Sequence, residues 1–264
     1  MVDHYTPSDD SAGSENNRFD SRVGQVEFRT TIHHIEKYLT PGARILEIGA
    51  ASGRYSHYFA QRGYEVDAVE LVPYNIELFK EKTQEGECVT IRQGNATDLS
   101  EFSDETYDVT LLLGPMYHLF ERSDKLAAMS EALRVTKPGG VLLTAYCLPD
   151  ASIVQYGFVR NPDNAQRIIE MGLLDPVSFR AVSRPPEVFD LMYKEDIDAL
   201  MSGFPSAERI SFVATDLLTH YIAPALANMT DEQFELYLRY HLAVCERSDM
   251  LGVTNHALDI VRKL

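Results

Sequence analysis

The sequence predicts an α/β fold, a mostly parallel sheet covered by helices on both faces. Two observations carry this expectation. Short apolar runs rich in β-formers recur from Ala43 onward, and each is followed by a stretch of helical periodicity. Strands and helices alternating at this interval require right-handed crossovers, which place parallel strands between two helical layers. A chain of 264 residues is long enough for one such domain with a cap.

The elements follow in order. Up to about Asn17 the chain is rich in Ser, Asp, Asn and Gly, too polar to offset the entropy of ordering. Phe28, Ile32, Ile35 and Leu39 then recur at helical spacing, so an amphipathic helix should end before Pro41–Gly42. Ala43–Gly49 reads as the first strand, with a helix from Gly53 to Arg62. Glu65–Leu71 is the second strand, and Pro73 opens the next helix at a position where its missing N–H costs nothing. Cys88–Gly94 and Tyr107–Gly114 are the third and fourth. The helix after them is expected to be capped by Ser123 or Asp124, with Leu126, Met129 and Leu133 on one face. Lys137–Pro138–Gly139–Gly140 reads purely as a turn into a strand beginning at Val141.

Beyond Pro149 the rhythm breaks. The stretch from Asp150 to Asp190 holds several prolines and no clean strand, as an insertion or cap would. Ser206–Asp216 resumes as a strand, two helical stretches follow, the second from Thr230 to Arg247, and Asn255–Leu264 closes as a final strand. The expected organisation is a polar tail and lid helix over 1–40, a cofactor-binding core over 41–149, a cap over 150–205, and the rest of the sheet domain over 206–264.

Composition narrows the function. Forty acidic against 24 basic residues give a formal charge of −16, which repels phosphate backbones and anionic lipid. No apolar run approaches the roughly 18 residues of a membrane span. Cys88, Cys147 and Cys245 lie far apart and offer no paired-cysteine spacing, which fits a reducing, cytoplasmic setting.

The informative constellation is Glu47-Ile48-Gly49-Ala50-Ala51-Ser52-Gly53, at the end of the first strand. Small residues there let the backbone turn tightly and approach a ligand. Ligands of open α/β sheets bind at the carboxyl ends of the strands. Glu70, at the end of the second strand and followed by Leu71, is placed to accept the hydroxyls of a ribose. A dinucleotide fingerprint would need a middle and a third glycine, but Ala51 holds the middle position and the third is missing.

The loop instead resembles the E-x-G-x-G-x-G segment of class I S-adenosylmethionine-dependent methyltransferases of the small-molecule type. Gly94-Asn95-Ala96-Thr97-Asp98-Leu99 is similar to that family's G-D-A-x-D-L segment. Tyr107-Asp108-Val109 is similar to its fourth strand, and Arg134-Val135-Thr136-Lys137-Pro138-Gly139-Gly140 to its R-V-L-K-P-G-G turn. The matches run in family order from Ile45 to Leu143. The resemblance implies a Rossmann-like seven-stranded sheet and S-adenosyl-L-methionine as cofactor. It implies contacts from Glu47, Gly49, Ala50, Ala51, Ser52 and Gly53, with the ribose on Glu70 beside Leu71. Adenine would lie between Asn95 and Ala96, and the cofactor's ammonium group near the carbonyls of Leu113 and Gly114. The family usually has Asp where Asn95 stands.

Gly114-Pro115-Met116-Tyr117-His118-Leu119 follows the fourth strand, where the transferred methyl should lie. His118 has the unperturbed acidity of a general base, with Tyr117 beside it, and packing beneath the cofactor is the competing role. Consecutive His33 and His34 point in different directions on a helix and make a poor metal pair. Tyr237, Tyr240 and His241 are candidates for lining a cap, and Arg18, Glu27 and Arg29 for closing over the cofactor or substrate, with surface placement as the default. No metal is expected. The expected partner is a small-molecule acceptor, with neither nucleic acid nor membrane, and a homodimer is left open. An NAD-linked oxidoreductase and a non-catalytic nucleotide-binding protein remain as alternatives.

Overall fold

The computed structural model describes residues 18–185 and 189–264, so the polar tail before Arg18 lies outside the described residues. Helix α1 (Arg22–Glu36) precedes an alternating series: β1 (Arg44–Ile48), α2 (Arg54–Ala60), β2 (Glu65–Glu70), α3 (Pro73–Lys82), β3 (Val89–Gln93) and β4 (Tyr107–Leu112). Then come α4 (Arg122–Val135), β5 (Thr136–Cys147), α5 (Pro149–Val154), α6 (Asp163–Glu170), α7 (Lys194–Met201), β6 (Ala207–Ala214), α8 (Ala223–Ala227), α9 (Asp231–Val244) and β7 (His256–Lys263). The strands form one seven-stranded sheet in the order β3-β2-β1-β4-β5-β7-β6. The first five run parallel, and β7 lies antiparallel between β5 and β6.

Helices on both faces explain why the central strands read as unbroken apolar runs. Successive side chains point to opposite faces. Leu46, Ile48, Leu112 and Leu142 therefore pack with Met129 and Leu133 of α4 and with Ile197 and Leu200 of α7. Ile45, Leu111, Val141 and Leu143 pack on the other face with Ile32 and Ile35 of α1 and Phe59 of α2. Helix α7, placed by sequence at the end of the cap, thus belongs to the core of the sheet. The cap proper is α5, a π-helical turn over Gln155–Arg160, α6, and an irregular segment tied to the end of β5 by a bridge between Cys147 and Leu191.

Two local expectations are corrected. Helix α4 begins at Arg122, with Glu121 at the cap position and no side-chain cap, rather than being capped by Ser123 or Asp124. Lys125, buried at 4% exposure, fixes that end instead by donating to the Leu119 carbonyl and pairing with Asp190 at 2.7 Å. Lys137–Gly140 is not a free turn. It is an irregularity inside β5, where pairing jumps from Tyr107–Thr136 to Val109–Val141. A Cβ on Gly140 would stand 2.9 Å from the backbone oxygens of Asp108 and Lys137, so only glycine lets the strand fold back this tightly.

The antiparallel edge is held by one charged pair. Asp259 on β7 is almost wholly buried and receives both arms of the Arg209 guanidinium from β6, at 2.6 and 2.7 Å. Burial pushes the Asp259 carboxyl above its ordinary pKa while the guanidinium opposes the shift. Arg209→Ala strands the carboxylate and should cost about 3 kcal/mol, the lower end for a broken buried pair because the arginine is partly solvated. Urea unfolding of the variant, with Asp259→Asn added as a rescue, measures it.

Candidate functional site

The chain leaves β1 for β2 and β3 on one side and returns to β4 on the other, so the carboxyl ends of β1 and β4 flank the topological switch point. A cleft opens there, lined by the ends of β1, β2 and β4 and by the segment after β3. Its two walls touch. A Cβ on Gly49 (φ +77°) would lie 2.7 Å from the Pro115 ring, and one on Gly114 3.3 Å from the Gly49 carbonyl oxygen.

Ala51, at the position of the family's central glycine, adopts the left-handed conformation at φ 47°. That conformation costs an L-residue roughly 1–2 kcal/mol. Glu70 secures it: its Oε2 accepts the Ala51 N–H at 2.7 Å, while Oε1 accepts the Val72 N–H at 2.9 Å and faces Asn75 Nδ2 at 3.4 Å. Each carboxylate oxygen retains acceptor capacity beyond these bonds. Glu70 is 6% exposed and lines the cleft, so a pre-oriented acceptor pair stands at the end of β2.

Glu47 plays a different part. It is buried and accepts from the Ser56 N–H at 2.9 Å and from the Ser56 hydroxyl, anchoring the first turn of α2 to the end of β1. Desolvation pushes its pKa up to about 8, opposed by the Ser56 hydrogen bonds and assisted by the charge of Glu70. Ser52 is held from the other side by Lys82 Nζ at 2.8 Å.

Of the residues expected to contact a cofactor, Glu47, Gly49, Ala50, Ala51, Ser52, Glu70, Leu71, Asn95, Ala96, Leu113 and Gly114 all line the cleft, as do Tyr117 and His118. Gly53 does not. It caps α2 at φ +82°, and a Cβ there would meet the Phe79 ring at 2.5 Å, so its role is close packing behind the loop. Asn95 Oδ1 accepts the Thr97 N–H at 3.2 Å, which ties its side chain into a local turn. The Leu113 carbonyl accepts the Tyr117 hydroxyl at 3.0 Å. The His118 ring lies 4.9 Å from Tyr117 and 5.4 Å from Phe189, an aromatic wall that joins the end of β4 to the cap segment.

Sequence reasoning missed Phe19, Arg54, Tyr55 and Asn75, which also line the cleft. Phe19 stacks against Phe28 and Tyr55 at 5.3 and 5.7 Å, so the chain just ahead of α1 forms part of the wall. The apolar Phe19 beside a polar tail was the available signal. Arg29 instead pairs with Glu235 of α9, and the buried His34 is bonded to Thr30 and Glu246. Tyr237 bonds Thr219, Tyr240 is exposed, and His241 is buried with its pKa lowered to about 4 by desolvation. None of these five lines the cleft. Glu27 lies near His256 at 3.8 Å. Among the described residues no helix is long and apolar enough to cross a membrane.

Fold and cleft together place the chain in the doubly wound α/β class, with a buried carboxylate acceptor facing the cleft at the end of β2. Residues 46–144 match the family model of a methyltransferase domain. Over 40% of its length the chain is 33% identical to a demethylmenaquinone methyltransferase of Renibacterium salmoninarum, spanning only 41% of that protein. It is 26% identical over 70% of its length to a ubiquinone biosynthesis O-methyltransferase of Cereibacter sphaeroides, 74% of which is spanned. A SAM-dependent methyltransferase structure from Methanosarcina mazei superposes with a TM-score of 0.57 at 18% identity, covering 88% of this chain and 97% of that one. The geranyl diphosphate C-methyltransferase of Streptomyces coelicolor, solved with S-adenosyl-L-homocysteine, gives 0.53 at 15% identity, covering 91% and 78%. These two show the fold. The chain thus carries a segment matching a methyltransferase domain over residues 46–144, on a fold shared with S-adenosylmethionine-dependent methyltransferases.

The glycine at 53 gives a test of the loop. Gly53→Ala combines a left-handed residue with a clash against Phe79 and should lower stability by about 2–4 kcal/mol. Ala51→Gly, by contrast, should leave stability equal or higher. Paired thermal melts of the two variants check both signs.

Proposed function

We propose that the protein transfers the methyl group of S-adenosylmethionine to a small-molecule acceptor held between the end of β4 and the cap. The observation that carries this reading is the continuity of the cleft. The acceptor carboxylate of Glu70 and the aromatic wall of Tyr117 and His118 line one cavity, and Phe189 of the cap segment packs on that wall. Glu70 would hold the ribose hydroxyls, the Asn95–Ala96 segment the adenine, and the Gly49 and Leu113–Gly114 loops the amino-acid part.

When bound, the cofactor supplies an electrophilic methyl group on a sulfonium. The protein's own contribution is orientation and exclusion of water. Pro115 fixes the turn after β4, and the His118 N–H donates to the Pro115 carbonyl at 2.9 Å, which sets where the imidazole begins. An imidazole nitrogen of His118 would take the acceptor's proton where the acceptor is a hydroxyl or an amine. Two features support a small acceptor: relatives named for steps in ubiquinone and menaquinone chemistry, and a net charge of −16 that disfavours polyanions.

Two measurements test the reading. In calorimetry the protein should bind S-adenosylhomocysteine with micromolar affinity, about −8 kcal/mol, and NAD far more weakly. Glu70→Ala should weaken S-adenosylhomocysteine by roughly 1.5–3 kcal/mol. Tighter binding of NAD, or an unchanged affinity in the variant, refutes the assignment.

His118→Ala should lower kcat by about 10²–10⁴-fold with cofactor affinity nearly constant, and the acid limb of the wild-type pH–rate profile should vanish with it. Loss of cofactor affinity in step with activity, with the pH profile kept, would make the imidazole a packing group.

A further inference from the structure

A second polar cluster stands at the same edge of the sheet, on the β7–β6 half. Asp216, just past the end of β6, is wholly buried. Its Oδ1 accepts the N–H groups of Asn255 at 2.8 Å and His256 at 3.3 Å, together with the Thr254 hydroxyl. Those bonds fix the plane of the carboxylate and leave Oδ2 facing two imidazoles, His256 Nδ1 at 2.7 Å and His220 Nε2 at 3.2 Å. From α1, Glu27 brings Oε2 to 3.8 Å from the same His256 nitrogen. The first residue of β7, His256 lies opposite Cys147, the last of β5, which also contacts its ring.

We propose that Asp216, His220 and His256, with Glu27 as a fourth donor, bind a divalent transition-metal ion of the zinc type. The donor set is two imidazoles and two carboxylates, the borderline combination that zinc and cobalt(II) take. The three donor atoms of Asp216, His220 and His256 all lie within 4.8 Å of one another. Bond lengths near 2.0–2.1 Å in a tetrahedral site put neighbouring donors ~3.3 Å apart. The Asp216–His220 spacing already meets that, and Asp216–His256 needs to open by about half an ångström. Glu27 Oε2 stands on a separate element 3.8 Å from His256 Nδ1, outside the close group of three, and would swing in as the fourth donor.

The surroundings supply what first ligands need. Three donors on the far oxygen of Asp216 orient it, and Cys147 contacts the His256 ring, the kind of outer support that ligands of bound metals carry. The imidazoles are partly open to solvent, 32% for the His220 side chain and 21% for His256, so an ion has a way in. The two N–H groups now donating to Asp216 Oδ2 occupy the place of the ion. None of the four residues lines the cofactor cleft, so the inference stands apart from the methyl-transfer reading.

The test uses the untagged full chain, stripped with a chelator, and Zn²⁺ or Co²⁺ alone as the probe. Titration calorimetry should give one ion per chain, and Co²⁺ should develop the visible absorption of a four-coordinate site. His220→Ala should weaken binding by at least about tenfold, with an unchanged circular-dichroism spectrum. Glu27→Gln, a second variant that leaves the buried carboxylate in place, should weaken it less. No saturable binding by the native chain, or affinities unchanged in both variants, overturns the site and leaves a hydrogen-bonded Asp–His knot.

Discussion

The carboxylate of Glu70 joins two loops that must be rigid before any ligand arrives. One oxygen holds the N–H of Ala51 and the other that of Val72, so the loop after β1 and the loop after β2 are fastened to a single group. The bond to Ala51 also sustains a left-handed backbone at a residue with a Cβ. Charge-assisted hydrogen bonds of this kind are worth about 1.5–3 kcal/mol each, enough to exceed the conformational cost of roughly 1–2 kcal/mol. The Glu70 bond therefore offsets the cost of an alanine at the left-handed position where the resemblance has a glycine.

Glu47 and Glu70 show how neighbouring strand ends divide the work. Both are acidic, both lie at the carboxyl edge, and both line the cleft. Glu47 is spent on Ser56 and anchors α2. With its pKa pushed to about 8 by burial, its native form is mostly protonated at neutral pH. Glu70 faces the loops and the cavity. Spacing for Glu70 and the family resemblance for both led to the expectation of cofactor contacts, and their environments separate one as a helix anchor and the other as an acceptor.

How much of this was legible follows from how local each feature is. The β1 loop, the acid at the end of β2 and the Asn95 segment each lie within one strand–turn unit, so small residues and spacing, and for Asn95 the family resemblance, sufficed to place them at the cleft. The bulge at Lys137–Gly140 was read as a turn because its geometry is set by Asp108 on another strand, which no local pattern records. The start of α4 was misplaced for a similar reason: Asp190, far along the chain, pairs with Lys125 and holds the first turn of α4. Gly53 looked like a cofactor contact because glycine spacing does not distinguish a residue that meets a ligand from one that meets Phe79.

The same distinction divides the carboxyl edge of the sheet. On the β3–β2–β1–β4 side most of the cleft lining comes from the strand ends and the turns that directly follow them, with Phe19 added from ahead of α1. On the β5–β7–β6 side the antiparallel insertion of β7 brings the start of one strand beside the ends of two others. That reversal places His256 against Cys147 and Asp216 and lets α1 add Glu27. Residues 27, 147, 216 and 256 therefore meet only because a strand runs the other way. A half built from consecutive turns can preserve one cofactor while its sequence drifts within narrow limits. A half assembled from distant segments changes its chemistry with single substitutions on unrelated elements.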